Sequence, residues 1–203
     1  MVDEKKIYIL LTDTGTMFTR LIKLYTKKSF NHASISFDRS LSEVYSFGRK
    51  TPSNPFIGGF VKENMESHFF NLAKCRVYSC TVSPIQYEEM RCFIQKINDE
   101  KSLYRYNLLG LFAILLNKQL NRKYAFFCSQ FVATVLQECE CVHFSKPLSL
   151  ITPQELIKGN GFHLVYEGNL KNYRELEQRN RSLVPNGTRD LSPRSSPRSS
   201  LSI

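Results

Sequence analysis

Two residue types in this chain could together do nucleophilic chemistry: a cysteine at a helix start and a histidine on a strand. Cys128-Ser129-Gln130 follows the apolar run Tyr124-Ala125-Phe126-Phe127 and opens a pattern in which Phe131, Val132, Val135 and Leu136 recur at helix spacing. At such a position the free backbone N–H groups and the positive end of the helix dipole favour an anion. A thiol there ionises more readily, and the thiolate is the nucleophile. His32 lies in the alternating segment Asn31-His32-Ala33-Ser34-Ile35-Ser36-Phe37. With period two, His32, Ser34 and Ser36 share one face and Ala33, Ile35 and Phe37 the other. A nucleophile beside a general base is the pairing that a thiol hydrolase needs. The bland alternatives are a cysteine acting as a small buried hydrophobe, the reading given to the other five cysteines, and a solvated histidine, open to His68, His143 and His163.

These side chains must be positioned by surrounding elements, and the chain has the length to build them. Its 203 residues are 42% hydrophobic and 23% charged, ordinary for one globular domain with a core of its own. Lys6–Thr12 alternates as a first strand, Asp13-Thr14-Gly15 breaks it, and Thr16–Lys27 carries Phe18, Leu21, Ile22 and Tyr25 on one helical face. The His32 strand turns through Asp38-Arg39-Ser40 into a strand over Glu43–Phe47, a hairpin. Gly48–Gly59 reads as a Pro/Gly/Asn-rich loop, and Arg76–Val82 as another strand. Ser83-Pro84-Ile85-Gln86 is a helix start with a cap, a first-turn proline and a capping box, and Met90, Phe93, Ile94 and Ile97 form its buried stripe. Thr152-Pro153-Gln154-Glu155 repeats the signal before a short helix ending near Gly159, and Phe162–Tyr166 reads as a last strand. The order is α+β rather than a regular βαβ alternation. Residues 1–180 read as one domain, and the Ser/Pro/Arg-rich segment 181–203 as a disordered tail with no pattern for a core.

Charge and cysteine usage narrow the setting. The formal net charge is +10, of which the segment after Asn180 supplies +3, so the body is basic as well. That favours an anionic surface as a partner, while a soluble basic enzyme is the simpler reading. Nucleic acid is not expected as a partner, and the oligomeric state is open. Cys75, Cys80, Cys92, Cys128, Cys139 and Cys141 lack zinc-ribbon spacing, and the N-terminus lacks the apolar stretch of a secretory signal. Free thiols in a reducing, cytoplasmic setting are the expectation. The run Leu108–Leu116 is too short to span a bilayer, so a buried helix is expected there, with docking on a membrane surface as the alternative. No P-loop, HExxH pair or dinucleotide fingerprint is present.

The pairing of "FNHASISFD" with a later "FFCSQFVATVL" resembles the circularly permuted papain-like enzymes of the NlpC-type superfamily, which place His before Cys. The segments "DTGTMFTRLIKLYTKK", "EVYSFGRK" and "SLITPQEL" are similar in order and spacing, so the resemblance runs from about residue 6 to about residue 166. It implies a permuted papain-like fold with a small antiparallel sheet packed against helices, Cys128 as nucleophile, His32 as base, the backbone N–H of Cys128 helping to hold an oxyanion, and no metal or cofactor. It also implies an orienting residue on the strand after the histidine. Strand parity puts Ser46 on the face of His32, about where relatives carry Glu; a bulge would bring Glu43 there instead. The expected activity is hydrolysis of an amide or ester, as in peptides or cell-wall fragments. The rivals are a non-catalytic binding module on the same fold and a lipid acyltransferase or thioesterase at a membrane surface, the latter suggested by comparing the 108–116 run with the lecithin–retinol acyltransferase branch.

Overall fold

Every side chain from Ile7 to Thr12 is buried, and the reason is the place of that segment in the sheet. In the computed structural model, which describes residues 4–13, 29–51, 54–107, 123–159 and 161–183, it forms a central strand. In chain order the elements are β1 (Lys5–Asp13), β2 (His32–Ser36), β3 (Val44–Thr51), β4 (Asn54–Glu63), α1 (His68–Asn71), β5 (Lys74–Val82), α2 (Pro84–Asp99), β6 (Arg105–Tyr106), β7 (Ala125–Phe126), α3 (Cys128–Glu138), β8 (Phe162–Asn169) and α4 (Leu170–Leu183), with single 3-10 turns at Leu148–Leu150 and Pro153–Glu155. Six strands form one antiparallel sheet in the order β4-β3-β2-β1-β5-β8, and β6 and β7 form a short parallel ladder of their own. The protein is α+β.

Both faces of the sheet are covered. Successive strand residues point to opposite faces, so Ile7, Ile9 and Leu11 of β1 join Ala33, Ile35, Phe47 and Phe60 in one core. Met90, Ile94 and Ile97 of α2 and Phe131, Val132, Val135 and Leu136 of α3 complete it. Tyr8 and Leu10 face the other way, into a second core with Val44, Met65, Phe70, Val77, Leu170 and Tyr173. The α2 start is as expected: Ser83 Oγ accepts from the Gln86 N–H, Gln86 Oε1 accepts from the Ser83 N–H, and Pro84 occupies the first turn.

Four expectations need correction. The stretch Gly48–Gly59 is not a loop; β3 runs on to Thr51 and β4 begins at Asn54, with Gly48 paired to Gly59 and Arg49 to Gly58. Gly58 serves close packing there, since a Cβ on it would lie 2.7 Å from both the Gly48 carbonyl oxygen and the Tyr106 Cβ. The chain after Thr152 makes only a 3-10 turn. The last strand extends to Asn169 and is followed directly by α4, which the strand-last order omits. That helix continues through Leu183, so Arg181 to Leu183 belong to the folded domain and the boundary at residue 180 moves outward. The expected helix over Thr16–Lys27, the Leu108–Leu116 run and the chain beyond Leu183 lie outside the described residues. Among the described residues no helix is long and apolar enough to cross a membrane.

Candidate active site

The site is built where two strands part. β1 and β2 stay paired along the whole of β2, from Tyr8–Ser36 to Thr12–His32, and the Asn31 N–H continues the ladder to the Thr12 carbonyl at 3.2 Å. β2 and β3 pair only at Ile35–Tyr45 and Ser36–Val44, so His32 stands beyond that ladder. α3 packs against both strands. Its start is set by β6 and β7: the Asn107 N–H donates to the Phe126 carbonyl at 2.8 Å, and Cys128 follows two residues later. Phe127 is the N-cap and makes no side-chain capping bond, so no side chain of the cap competes for the first-turn N–H groups.

The Cys128 sulfur lies 3.9 Å from the carbonyl oxygen of Asn31, the residue before His32, and the thiol is near enough to the His32 imidazole to favour its protonated form. On its other side, His32 Nε2 lies 2.6 Å from Glu63 Oε1. That contact occupies Nε2 and leaves Nδ1 as the ring nitrogen for the thiol. Glu63, the last residue of β4, is itself held by two hydroxyls: Ser46 donates to Oε1 at 2.7 Å and Ser34 to Oε2 at 2.7 Å. The polar face of β2 that carries His32, Ser34 and Ser36 is closed over by its neighbours. Ser34, Ser36 and Ser46 are fully buried, the first and last on Glu63 and Ser36 on the Asp38 carbonyl at 2.9 Å. The His32 side chain is 17% exposed and that of Glu63 7%. Gly48 leaves room beside the ring, since a Cβ there would stand 3.6 Å from His32 Cε1.

These contacts fix the charges. Burial disfavours a charged imidazole, but the Glu63 carboxylate, with help from the Cys128 hydrogen bond, raises His32 from its ordinary value to about 10. Burial likewise pushes Glu63 up, yet the charge and hydrogen bond of His32 and the two serine hydroxyls hold it below the usual carboxylate range. The two form a buried, hydrogen-bonded ion pair whose carboxylate lone pairs are satisfied. Burial, with nearby acidic groups adding to it, pushes the thiols of Cys75 and Cys141 up to about 12 and that of Cys139 to about 11. All six cysteines are free.

Three sequence-derived candidates therefore find definite places. Cys128 and His32 are brought together. Ser46 lies on the face of His32, but its hydroxyl holds Glu63, and the carboxylate holds the ring. Glu43 is elsewhere: it precedes β3, takes two bonds from Arg91 at 2.8 and 3.3 Å, and accepts from the Tyr45 hydroxyl at 2.8 Å. The register shift in the β3–β4 hairpin falls between Arg49 and Thr51, too far along to turn Glu43 inward. His68, His143 and His163 are exposed. Glu63 was missed because the first part of its strand, up to Gly59, was read as a loop and residues 60–63 were assigned to no element. The available signal was the alternation Phe60, Val61, Lys62, Glu63, which puts Val61 and Glu63 on one face. Among the described residues no cluster of three or more His, Cys, Asp or Glu side chains could hold a metal ion.

Compared with family models, with curated proteins and with solved structures, the chain matches none of them.

Proposed function

We propose that this protein is a cysteine-dependent hydrolase of amides or esters, working through an acyl-thioenzyme on a permuted papain-like fold. The observation that carries the reading is the meeting of the helix start with the His32 strand: the Cys128 sulfur lies 3.9 Å from the carbonyl of the residue before His32, and His32 Nε2 lies 2.6 Å from Glu63 Oε1. A thiol beside a base that is oriented by a third group is the arrangement nucleophilic catalysis uses.

The carboxylate stabilises the imidazolium, so the reacting state is the pair of Cys128 thiolate and protonated His32, in which the ring holds the thiol proton. The sulfur then bonds the substrate carbonyl carbon, and the C=O π pair moves onto oxygen. The resulting oxyanion sits near the uncapped start of α3, where the Cys128 N–H can donate to it. Collapse breaks the C–N or C–O bond, and His32 returns its proton to the leaving amine or alcohol. In the second half His32 takes a proton from water as its oxygen bonds the thioester carbon. Collapse breaks the C–S bond and frees the acid. Glu63 stays ionised throughout and stabilises the imidazolium.

The test uses a simple activated ester, p-nitrophenyl acetate, with mass spectrometry of quenched samples. An acetyl group that appears on Cys128 and decays, and that is lost in Cys128→Ala and slowed in His32→Ala, is the expected result. Hydrolysis unchanged in Cys128→Ala would overturn the reading in favour of a binding module.

A further inference from the structure

The geometry points to the turn at Ile151–Glu155 as a clasp that sets the nucleophile against the base, with Gln154 and Ser129 as positioning residues; this rests on the function proposed above. Cys128 and His32 belong to elements far apart in the chain, and hydrogen-bond reach between their reacting atoms tolerates little error. The same short turn holds both elements. Ser129, the residue after the nucleophile and 2% exposed, donates its hydroxyl to the Ile151 carbonyl at 2.7 Å. Gln154 donates its Nε2 to the carbonyl of Phe30, two residues before the base. The next carbonyl, that of Asn31, is the one the Cys128 sulfur approaches at 3.9 Å. The two carbonyls leading into His32 are thus held from α3 and from the turn, and the turn is tied to α3.

The turn is built to hold its shape. Glu155 Oε2 accepts from the Thr152 N–H at 2.9 Å and from its hydroxyl at 2.6 Å, and the Glu155 N–H returns to the Thr152 carbonyl at 2.9 Å. Lys146 closes the other carboxylate oxygen, and Ile151 and Leu156 anchor both ends in the core. Gln154 fits a positioning role for a further reason. The Phe30 carbonyl only accepts, so the amide must present its nitrogen there, which leaves Gln154 Oε1 buried with no partner. A buried amide satisfied on one side only costs stability, so its bond to Phe30 is not explained by folding energy alone.

The test is the rate of iodoacetamide labelling of Cys128 at pH 7, read by peptide mapping, in Gln154→Met, Ser129→Ala, His32→Ala and the double variant His32→Ala/Gln154→Met. Gln154→Met keeps the volume and removes the donor; Ser129→Ala perturbs the other arm should the first variant fold poorly. Each single variant should label Cys128 about tenfold more slowly, the scale on which small displacements of reacting groups act. In the double variant the Gln154→Met effect should vanish, because there is no longer a base to position. Wild-type labelling in both Gln154→Met and Ser129→Ala, with His32→Ala slow, overturns the clasp and leaves the hydrolase reading standing. An undiminished Gln154→Met effect in the His32→Ala background also overturns it. Wild-type labelling in His32→Ala removes both.

Discussion

At the scale of single residues, Glu63 changes what the cysteine and histidine can do. A serine beside the ring would orient it but stabilise its charge poorly; a buried carboxylate does both, and the charge and hydrogen bond of His32, with the hydroxyls of Ser46 and Ser34, keep that carboxylate ionised against its burial. The pair also makes stability depend on pH in a definite sense. His32 is raised in the folded state, so its contribution is full below about 6.5 and is lost as pH rises towards about 10. Glu63 is lowered, so its contribution is present above the ordinary value of 4.5 and is lost as pH falls through the lower folded value. Glu63→Gln should therefore cost most between about pH 5 and 6.5, on the order of 3 kcal/mol, as when one partner of a buried pair is removed. The deficit should shrink towards pH 9–10. Melting temperatures of both proteins across that range check this; a deficit that grows with pH would contradict the charge assignment.

At the scale of elements, the decisive unit is the β3–β4 hairpin. The strands carrying alternating apolar residues, the capping box at Ser83 and the helix at Cys128 could be read from the chain because each has a local cause: periodicity, a cap or a first-turn proline. β4 could not, because Gly58 and Gly59 look like turn residues, whereas both are strand residues and Gly58 lets β4 approach β3 and β6 closely. That one misreading removed the strand bearing Glu63 and left Ser46 as the apparent partner of His32. Strand parity still put Ser46 on the right face, since the β2–β3 register depends only on alternation. Gly58→Ala should be destabilising by about 1–3 kcal/mol, the cost of overpacking against backbone, in urea melts. It should also slow Cys128 labelling, because β4 carries Glu63. A stable variant with unchanged labelling would show that the hairpin yields freely there.

At the scale of the whole molecule, the sheet has helices on both sides, and the two cores have different histories in the sequence. The core under α2 and α3 follows from amphipathic patterns that are plain in the chain. The core under α4 was not foreseen, because that helix is rich in Lys, Arg, Glu and Asn and seats only a few residues: Leu170 and Tyr173 are buried, and the Tyr173 hydroxyl donates to the Arg39 carbonyl at 2.6 Å. Glu177, almost buried, takes a bond from Arg39 at 3.0 Å and fastens the helix to the β2–β3 turn. A chain ending at Asn169 should therefore melt at a markedly lower temperature than one ending at Leu183. Burial of Leu170 alone is worth about 1.5–3 kcal/mol. Coincident melts would show that the second core contributes nothing. The tail beyond Leu183 has the composition of a segment that builds no core, so the chain ending at Leu183 should melt with the full-length protein.

The central claim is that His32 activates Cys128, and the most direct measurement is the rate of iodoacetamide labelling of Cys128 at about pH 7 in the wild type and in His32→Ala. Exposed Cys92 serves as internal reference and buried Cys139 as a check on the fold. The account predicts that Cys128, though only 4% exposed, labels faster than Cys92 in the wild type, and that His32→Ala abolishes this advantage while Cys92 and Cys139 are unchanged. Equal Cys128 labelling rates in the two proteins would contradict it.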